Sequence, residues 1–281
     1  MFYCFFSRNV ASMSRLAFLF FACGILSNSS CSLSTSSSAN IKHVRTPPIV
    51  YTIAGSDSGG GAGIQADLHA IHAMKCHGCS AITCLTAQNS VGVTAVHYPP
   101  ASFLKTQLET LADDLHPTAV KIGMLGNDEL ARTVGEFVQN LKERQERKLW
   151  VVLDPVMIST SGHKLIDDKA VNAMIDHIFP YADVVTPNKF EAEALLRRKL
   201  NTPRDVEEGA RDLLKMGCKS VLIKGGHTFT DTSTADDVTI HYAQDFLLSS
   251  EAPVTDGNQR LCDSPLGVWL RTPRYVTCHM N

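Results

Sequence analysis

Residues able to do chemistry recur along the chain, each just after a short apolar run. Leu153-Asp154-Pro155-Val156-Met157 puts a carboxylate at the end of such a run. A carboxylate placed there commonly orients phosphates or holds a hard divalent cation, although an Asp before Pro is nearly as common as a plain turn former. Thr186-Pro187-Asn188-Lys189-Phe190-Glu191 sets Asn188 and Glu191 three residues apart at a helix start, so both side chains can face one hydrated cation. The same spacing describes a capping box, and taken alone the pair favours the cap. Lys224-Gly225-Gly226-His227 offers a cation and permissive backbone suited to nucleotide phosphates, or else a simple turn. The glycine-rich stretch from Ala54 to Gly63 leads from an apolar run into Ile64-Gln65-Ala66-Asp67. Such a turn lets a ligand approach the backbone at a helix N-terminus. It is neither a Walker A loop nor a dinucleotide fingerprint, because no Lys-Ser or Lys-Thr pair closes it and the glycine spacing is wrong. Tight-turn packing explains it equally well on its own.

Those groups need a scaffold that gathers them. From residue 49 the chain alternates short β-branched runs with helical stretches, the signature of β-α-β units and a mostly parallel sheet. The pattern predicts strands over 49–54, 80–86, 119–124, 149–154, 183–186 and 220–224. It predicts crossover helices over 66–74, 101–114, 128–147, 168–178, 190–198 and 206–216. Beyond His227 the periodicity weakens, with a hairpin expected from 238–242 and 243–248 and loop from 249 to 274. In an open parallel sheet ligands bind at the carboxyl ends of the strands, so Asp154, Asn188 and Lys224 are expected along one edge.

The formal charge of -2 gives no basic field for nucleic acid or an anionic membrane, which leaves a small molecule or a protein as ligand. No acidic residue precedes Asp57. Arg8, Arg15, the apolar run from Leu16 to Leu26 and a Ser-rich tract from 27 to 38 form instead the layout of a targeting segment over residues 1–45. The apolar run is too short to span a bilayer and matches a signal-peptide core, and the Ser-rich stretch is transit-like, which together suggest a bipartite plastid address. A secretory signal, or an upstream extension of a cytoplasmic protein starting at Met13, are the alternatives. The nine cysteines are an odd count; Cys4, Cys23 and Cys31 fall in the targeting segment, and the rest read as free thiols of a reduced compartment. Cys76 and Cys79 have C-x-x-C spacing without a second pair to complete a metal site, so they read as small buried residues leading into a strand.

Order and spacing together carry a resemblance. The segment from Ala54 to Asp67, then Thr86-Ala-Gln-Asn89, Lys121-Ile-Gly-Met-Leu125, Asp154-Pro-Val-Met157, Thr186-Pro-Asn188 with Glu191, and Lys224-Gly-Gly-His227 resemble the hydroxymethylpyrimidine and phosphomethylpyrimidine kinases of thiamine biosynthesis. The resemblance runs over roughly residues 49 to 275 and implies a ribokinase-like three-layer α/β/α fold. It implies that Gly55, Asp67, Gln88, Met124 and Val156 line a pyrimidine pocket, with the Gln88 amide matched to the ring nitrogen and exocyclic amine. It also implies that Asp154, Asn188 and Glu191 hold Mg2+ through water and that Lys224 and Gly226 contact ATP. Such kinases move the γ-phosphoryl group onto the hydroxymethyl oxygen, and many then phosphorylate the monophosphate. Dimers through the sheet edge are frequent among them. A pyridoxal kinase of the same fold, or a non-catalytic binder, are the rival readings.

The resemblance further implies an anion hole and a proton-accepting Cys from a Gly-Thr-Gly-Cys stretch at a later helix start. Leu270 to Val276 is similar to the approach to it, after which the sequence reads Thr277-Cys-His-Met-Asn281. Cys278 lacks the glycines and helix needed to aim amides at phosphate, so no catalytic base is assigned. The expectation is a C-terminally truncated kinase domain over 46–281, with apolar surface uncovered on one flank.

Overall fold

A computed structural model describes residues 46–144, 147–157, 166–225, 230–235, 238–250 and 266–273. The targeting segment, Gly226, His227 and Cys278 lie outside the described residues. Ten strands form one sheet: β1 (Ile49–Asp57), β2 (His77–Gln88), β3 (Val93–His97), β4 (Ala119–Ile122), β5 (Trp150–Leu153), β6 (Val184–Val185), β7 (Ser220–Ile223), β8 (Thr230–Ala235), β9 (Val238–Ser249) and β10 (Leu266–Pro273). Their order is β10-β9-β7-β6-β5-β4-β1-β2-β3, with β8 paired to β9. From β7 through β2 every pairing is parallel, whereas β3, β8, β9 and β10 add on antiparallel.

The helices are α1 (Gly63–Ala73), α2 (Ala101–Asp114), α3 (Asp128–Arg144), α4 (Asp168–His177), α5 (Lys189–Leu196) and α6 (Pro203–Leu214). Alternating side chains of β1 explain the layers. Tyr51 and Ile53 point into one large cluster shared with Leu104 and Leu108 of α2, Val134 of α3, Met174 of α4, Leu195 of α5 and Leu213 of α6. Val50 points the other way, into a smaller cluster with Ile71 of α1, Cys76 and Ala119. The sheet is therefore covered on both faces, by five helices on one and by α1 on the other among the described residues. The run of β-branched and aliphatic residues in β5 and β7 follows from burial on both faces, which relieves a strand of polar alternation.

Strand order reverses between β1 and β4, since β2 lies to one side of β1 and β4 to β7 follow on the other. That is a topological switch point, where α/β sheets open a crevice beyond the carboxyl ends of their strands. The six predicted parallel strands are all present, with β2 extended in both directions and the helices displaced at their ends by a few residues. Two expectations fail at the far edge. Residues 238–248 do not fold back on themselves; they form the single long strand β9, whose hairpin partner is β8. The expected loop over 249–274 contains β10, paired with β9 from Leu266 to Pro273. No described helix is long and apolar enough to cross a membrane.

Candidate active site

The glycine-rich turn is organised by a residue that the motif reading passed over. Asp57, at the end of β1 and buried, accepts the amide of Gly59 on Oδ1 at 2.8 Å and those of Gly61 and Ala62 on Oδ2 at 3.0 and 2.8 Å. Gln65 reaches back from α1 to accept the Asp57 amide at 2.9 Å and to donate to Ser56 Oγ at 2.7 Å. These contacts hold the turn in one conformation before any ligand arrives. Gly63 sits at φ +56°, and a Cβ there would collide with the Gly55 carbonyl, so the entry into α1 requires glycine.

Of the expected acceptor residues, Gly55 meets Met124 and Gln88 meets the turn, while the recorded contacts of Asp67 are to β1 and β4 and that of Val156 is to Asp154. A Cβ on Gly55 would stand 2.7 Å from Cys84 Sγ and 3.7 Å from Met124 Sδ, so Gly55 and Met124 share one patch of wall with Cys84 behind them. Burial pushes the Cys84 thiol above its ordinary value, which keeps it a neutral packing group. Gln88 is half-buried at the end of β2; its amide and carbonyl are tied to Ser58 of the turn at 2.8 and 2.7 Å, and its side-chain oxygen accepts Thr86 Oγ1 at 3.2 Å. Val156 is half-buried in the turn that follows β5. Asp67, on the first turns of α1, accepts on Oδ2 both the Thr52 hydroxyl and the Lys121 ammonium, each at 2.7 Å.

The second group lies past the ends of β5, β6 and β7. Asp154 leaves β5 as its amide donates to the Ile122 carbonyl, and its Oδ1 accepts Lys224 Nζ at 2.8 Å and Thr186 Oγ1 at 3.3 Å. Burial acts to raise the Asp154 carboxyl, but Lys224, Lys121 and the hydrogen bonds from Lys224 and Thr186 outweigh it and hold it below the ordinary value. Burial alone would depress Lys224, and the attraction of Asp154 and Glu191 raises it instead. Glu191 is also buried, and its carboxyl is pushed up to about 7 by burial and by Asp154, against the pull of Lys224 and of backbone hydrogen bonds from Asn188 and Met157.

Asn188 and Glu191 form the capping box that their spacing allowed: Asn188 Oδ1 accepts the Glu191 amide at 2.9 Å and Glu191 Oε2 accepts the Asn188 amide at 2.7 Å. The box fixes both side chains at the start of α5, and an isolated bridge between Asn188 and Lys224 ties that start to the end of β7. The capped Glu191 carboxylate also feels the buried Asp154–Lys224 pair, so the helix cap and that pair are neighbours. Beyond Lys224, Gly225 donates its amide to buried Asp245 at 2.9 Å; Gly226 lies outside the described residues.

Sequence reasoning missed Lys121, Thr52 and Asp57. The signal for Lys121 was present, since a lysine inside Ala119-Val-Lys-Ile122 is a charge in the middle of a doubly buried strand. Cys76 and Cys79 are buried free thiols packed at the start of β2, as expected from their small size.

A phosphomethylpyrimidine kinase family model matches residues 57–259. The chain belongs to the phosphomethylpyrimidine kinase family. It is 42% identical to the hydroxymethylpyrimidine/phosphomethylpyrimidine kinase of Haemophilus influenzae over 232 residues, 83% of this chain and 77% of that protein. It is also 42% identical to the chloroplastic thiamine biosynthetic bifunctional enzyme of Arabidopsis thaliana over 205 residues, 73% of this chain but 38% of that protein. Among solved structures, the phosphomethylpyrimidine kinase of Clostridium difficile superposes with a TM-score of 0.60 at 38% identity, covering 69% of this chain and 83% of that one. The pyridoxal kinase of Staphylococcus aureus, solved with AMP-PCP and pyridoxal, gives 0.58 at 30% identity, covering 74% and 73%. Family and fold thus agree with the ribokinase-like expectation.

Proposed function

We propose that the chain phosphorylates 4-amino-5-hydroxymethyl-2-methylpyrimidine with ATP, and then the resulting monophosphate, in thiamine biosynthesis. The observation that carries this is the pairing of two polar groups at one strand edge: Asp67 with Lys121 at the switch point and Asp154 with Lys224 two strands away. The first borders the glycine-rich turn and suits a small polar heterocycle. The second suits phosphates. Gln88 offers donor and acceptor to the aminopyrimidine, and Gly55, Met124 and Val156 supply the apolar wall.

Phosphoryl transfer needs alignment and charge neutralisation more than covalent chemistry. Lys224, buried and held cationic by its carboxylate neighbours, is placed to draw nucleotide phosphate charge toward the strand edge. Asp154 and Glu191 both act on the Lys224 ammonium, and Glu191 rises to about 7 chiefly through burial, with Asp154 adding to the rise. A donor set of this kind suits Mg2+, which takes one or two carboxylates and keeps several waters. Asp154, Asn188 and Glu191 would hold it, and when bound it would neutralise phosphate charge. A plastid address is part of the proposal, supported by the acid-free, Ser-rich N-terminal sequence and by the chloroplastic Arabidopsis relative.

The second reading is a pyridoxal kinase, favoured by the 30% identity to the Staphylococcus aureus enzyme. An ADP-release assay with Mg-ATP and, in turn, the pyrimidine, its monophosphate and pyridoxal separates the two. Turnover with kcat/KM highest for the pyrimidines is expected. A preference for pyridoxal would overturn the substrate, and pyrimidine binding without ADP release would make the chain a ligand binder rather than a catalyst.

A further inference from the structure

The β8–β9 hairpin rises beyond the strand edge that carries Lys224. β9 pairs with β7 only from Ser249 to Phe246 and runs on to Val238. Because β9 is antiparallel to β7, that extension leads past the carboxyl end of β7, by about 26 Å at the rise of a strand. Tyr242 and Ala243 each pair with β10 on one edge and with β8 on the other, so β8 lies on the same edge of β9 as β7. Thr230 stands opposite Ala243, further along β9 than the Ile223–Phe246 pair, so β8 continues the column of β7 roughly 10 Å beyond its end. Lys224 and Gly225 lie at the foot of this arm, where Asp245 of β9 accepts the Gly225 amide.

The arm has two unlike faces. The register of β9 is unbroken from Val238 to Ser249, so its odd-numbered positions share the face of Asp245 and its even-numbered ones that of Phe246. Cross-strand pairing then places Thr230, Thr232, Thr234, Thr239 and His241 on the Asp245 face, which is also the face of Lys224. No carboxylate falls there among the described residues of the arm; Asp231 is on the opposite face with Val238, Ile240 and Tyr242. Threonine suits a strand and still offers a hydroxyl donor, and an acid-free row of such residues beside a buried ammonium suits phosphate and ribose oxygens. From Val238 to His241, β9 pairs only with β8 among the described residues. A lone two-stranded ribbon is marginal in water, so this arm gains order from a ligand packed against it. We propose that the hydroxyl-rich face of the β8–β9 arm forms the outer wall of the nucleotide site, where Thr232 and Thr234 donate to the oxygens of a Mg-nucleotide whose charge Lys224 holds at the foot. This rests on the nucleotide assignment of Lys224 made above.

Hydrogen–deuterium exchange on the full chain tests this, with Mg-AMP-PCP and hydroxymethylpyrimidine added separately. Mg-AMP-PCP is expected to slow exchange in 230–235 and 238–243 as well as around Lys224, whereas the pyrimidine alone leaves the arm unchanged. Calorimetric titration of Mg-AMP-PCP into the wild type, Thr232→Val/Thr234→Val and Ser233→Val reads the hydroxyls directly. Valine keeps the β-branched shape of threonine. The double variant should therefore keep the arm and bind Mg-AMP-PCP about tenfold more weakly, the scale of two neutral hydrogen bonds, while Ser233→Val on the other face binds as the wild type does. Slowing around Lys224 without slowing in the arm overturns the inference alone, as do equal affinities in all three proteins. Equal losses in both variants would make the arm a structural prop, and slowing of the arm by the pyrimidine alone would give it to the acceptor; either result also overturns the inference. No slowing around Lys224 with Mg-AMP-PCP overturns the nucleotide assignment and this inference with it.

Discussion

The two buried ion pairs at the strand edge are alike in length, 2.7 Å for Lys121–Asp67 and 2.8 Å for Lys224–Asp154, and unlike in company. Around Asp67 the charges balance, with one carboxylate, one ammonium and a neutral hydroxyl from Thr52. Around Asp154 they do not. Glu191 and Asp245 both act on Lys224 in addition to Asp154, and although Lys121 also acts on Asp154, three carboxylates face two ammoniums there. A balanced pair holds a shape, whereas an acid-rich one has capacity for another cation. On the function proposed above, the same two residue types would serve an uncharged heterocycle at one place and metal-bound phosphates at the other, with the neighbours deciding which.

The largest effect is expected where the imbalance is greatest. Lys224→Met leaves Asp154 and Glu191 buried without their ammonium, and removing one partner of such a pair costs about 3–5 kcal/mol. Denaturant unfolding should show that loss, while kcat/KM for ATP falls roughly 100- to 1000-fold, the scale of losing one preorganised donor to transferring charge. Stability within 1 kcal/mol of wild type would mean that the pair at Asp154 is no more strained than an exposed one. On the other side, Asp57→Ala strips three amides of the turn of their acceptor. A loss of about 2–3 kcal/mol is expected, with the pyrimidine KM rising and the ATP KM little changed. Equal rises in both would show that the two groups are not separable.

The parallel half of the sheet was legible in the sequence because burial on both faces writes continuous β-branched runs, as in Trp150-Val-Val-Leu153 and Ser220-Val-Leu-Ile223. The antiparallel additions were not. β3 reads Val93-Thr-Ala-Val-His97 with three of its five residues exposed, and β10 reads Leu266-Gly-Val-Trp-Leu-Arg-Thr-Pro273, bounded by residues that usually punctuate loops. What makes β10 a strand is pairing along β9 and the packing of Trp269 on Phe246, with ring centroids 5.0 Å apart, and both are long-range facts. In the site, residue types at strand ends were readable, and their division into two ion pairs was not. Register between β1 and β4 places Lys121 beside Thr52 and Asp67, and no local pattern encodes that register.

Glu191 gives the comparison a pH dimension. Its folded carboxyl, raised to about 7 by burial and Asp154, binds a proton more tightly than the unfolded one near 4.5. Its contribution to stability is therefore complete below pH 4.5 and is lost as pH rises through about 7. Asp154 is shifted the other way, so its contribution is present above 3.8 and lost only below that, in a separate window. Glu191→Gln should abolish the fall between pH 4.5 and 7 in metal-free protein while retaining an acceptor for the Asn188 amide. Unfolding midpoints at pH 5 and pH 7.5 test it. The same difference between the two pH values in wild type and variant would remove Glu191 as its source.

The smallest effect separates capping from ligand binding, because the described residues include two capping boxes of like geometry. Asn188 caps α5 within the acid-rich group, and the exposed Thr202 caps α6, each accepting the amide three residues on, at 2.9 and 3.1 Å. Asn188→Ala and Thr202→Ala each lose one capping acceptor, worth about 1 kcal/mol, so their unfolding free energies should drop alike. If Asn188 also faces a hydrated cation, only its variant should need more Mg2+ for half-maximal ATP turnover, by a few-fold, since the amide oxygen is a neutral and water-mediated partner. Matching Mg2+ curves for the two variants would reduce Asn188 to its cap and leave the cation to Asp154 and Glu191, which sharpens the contrast between the two ion pairs rather than weakening it.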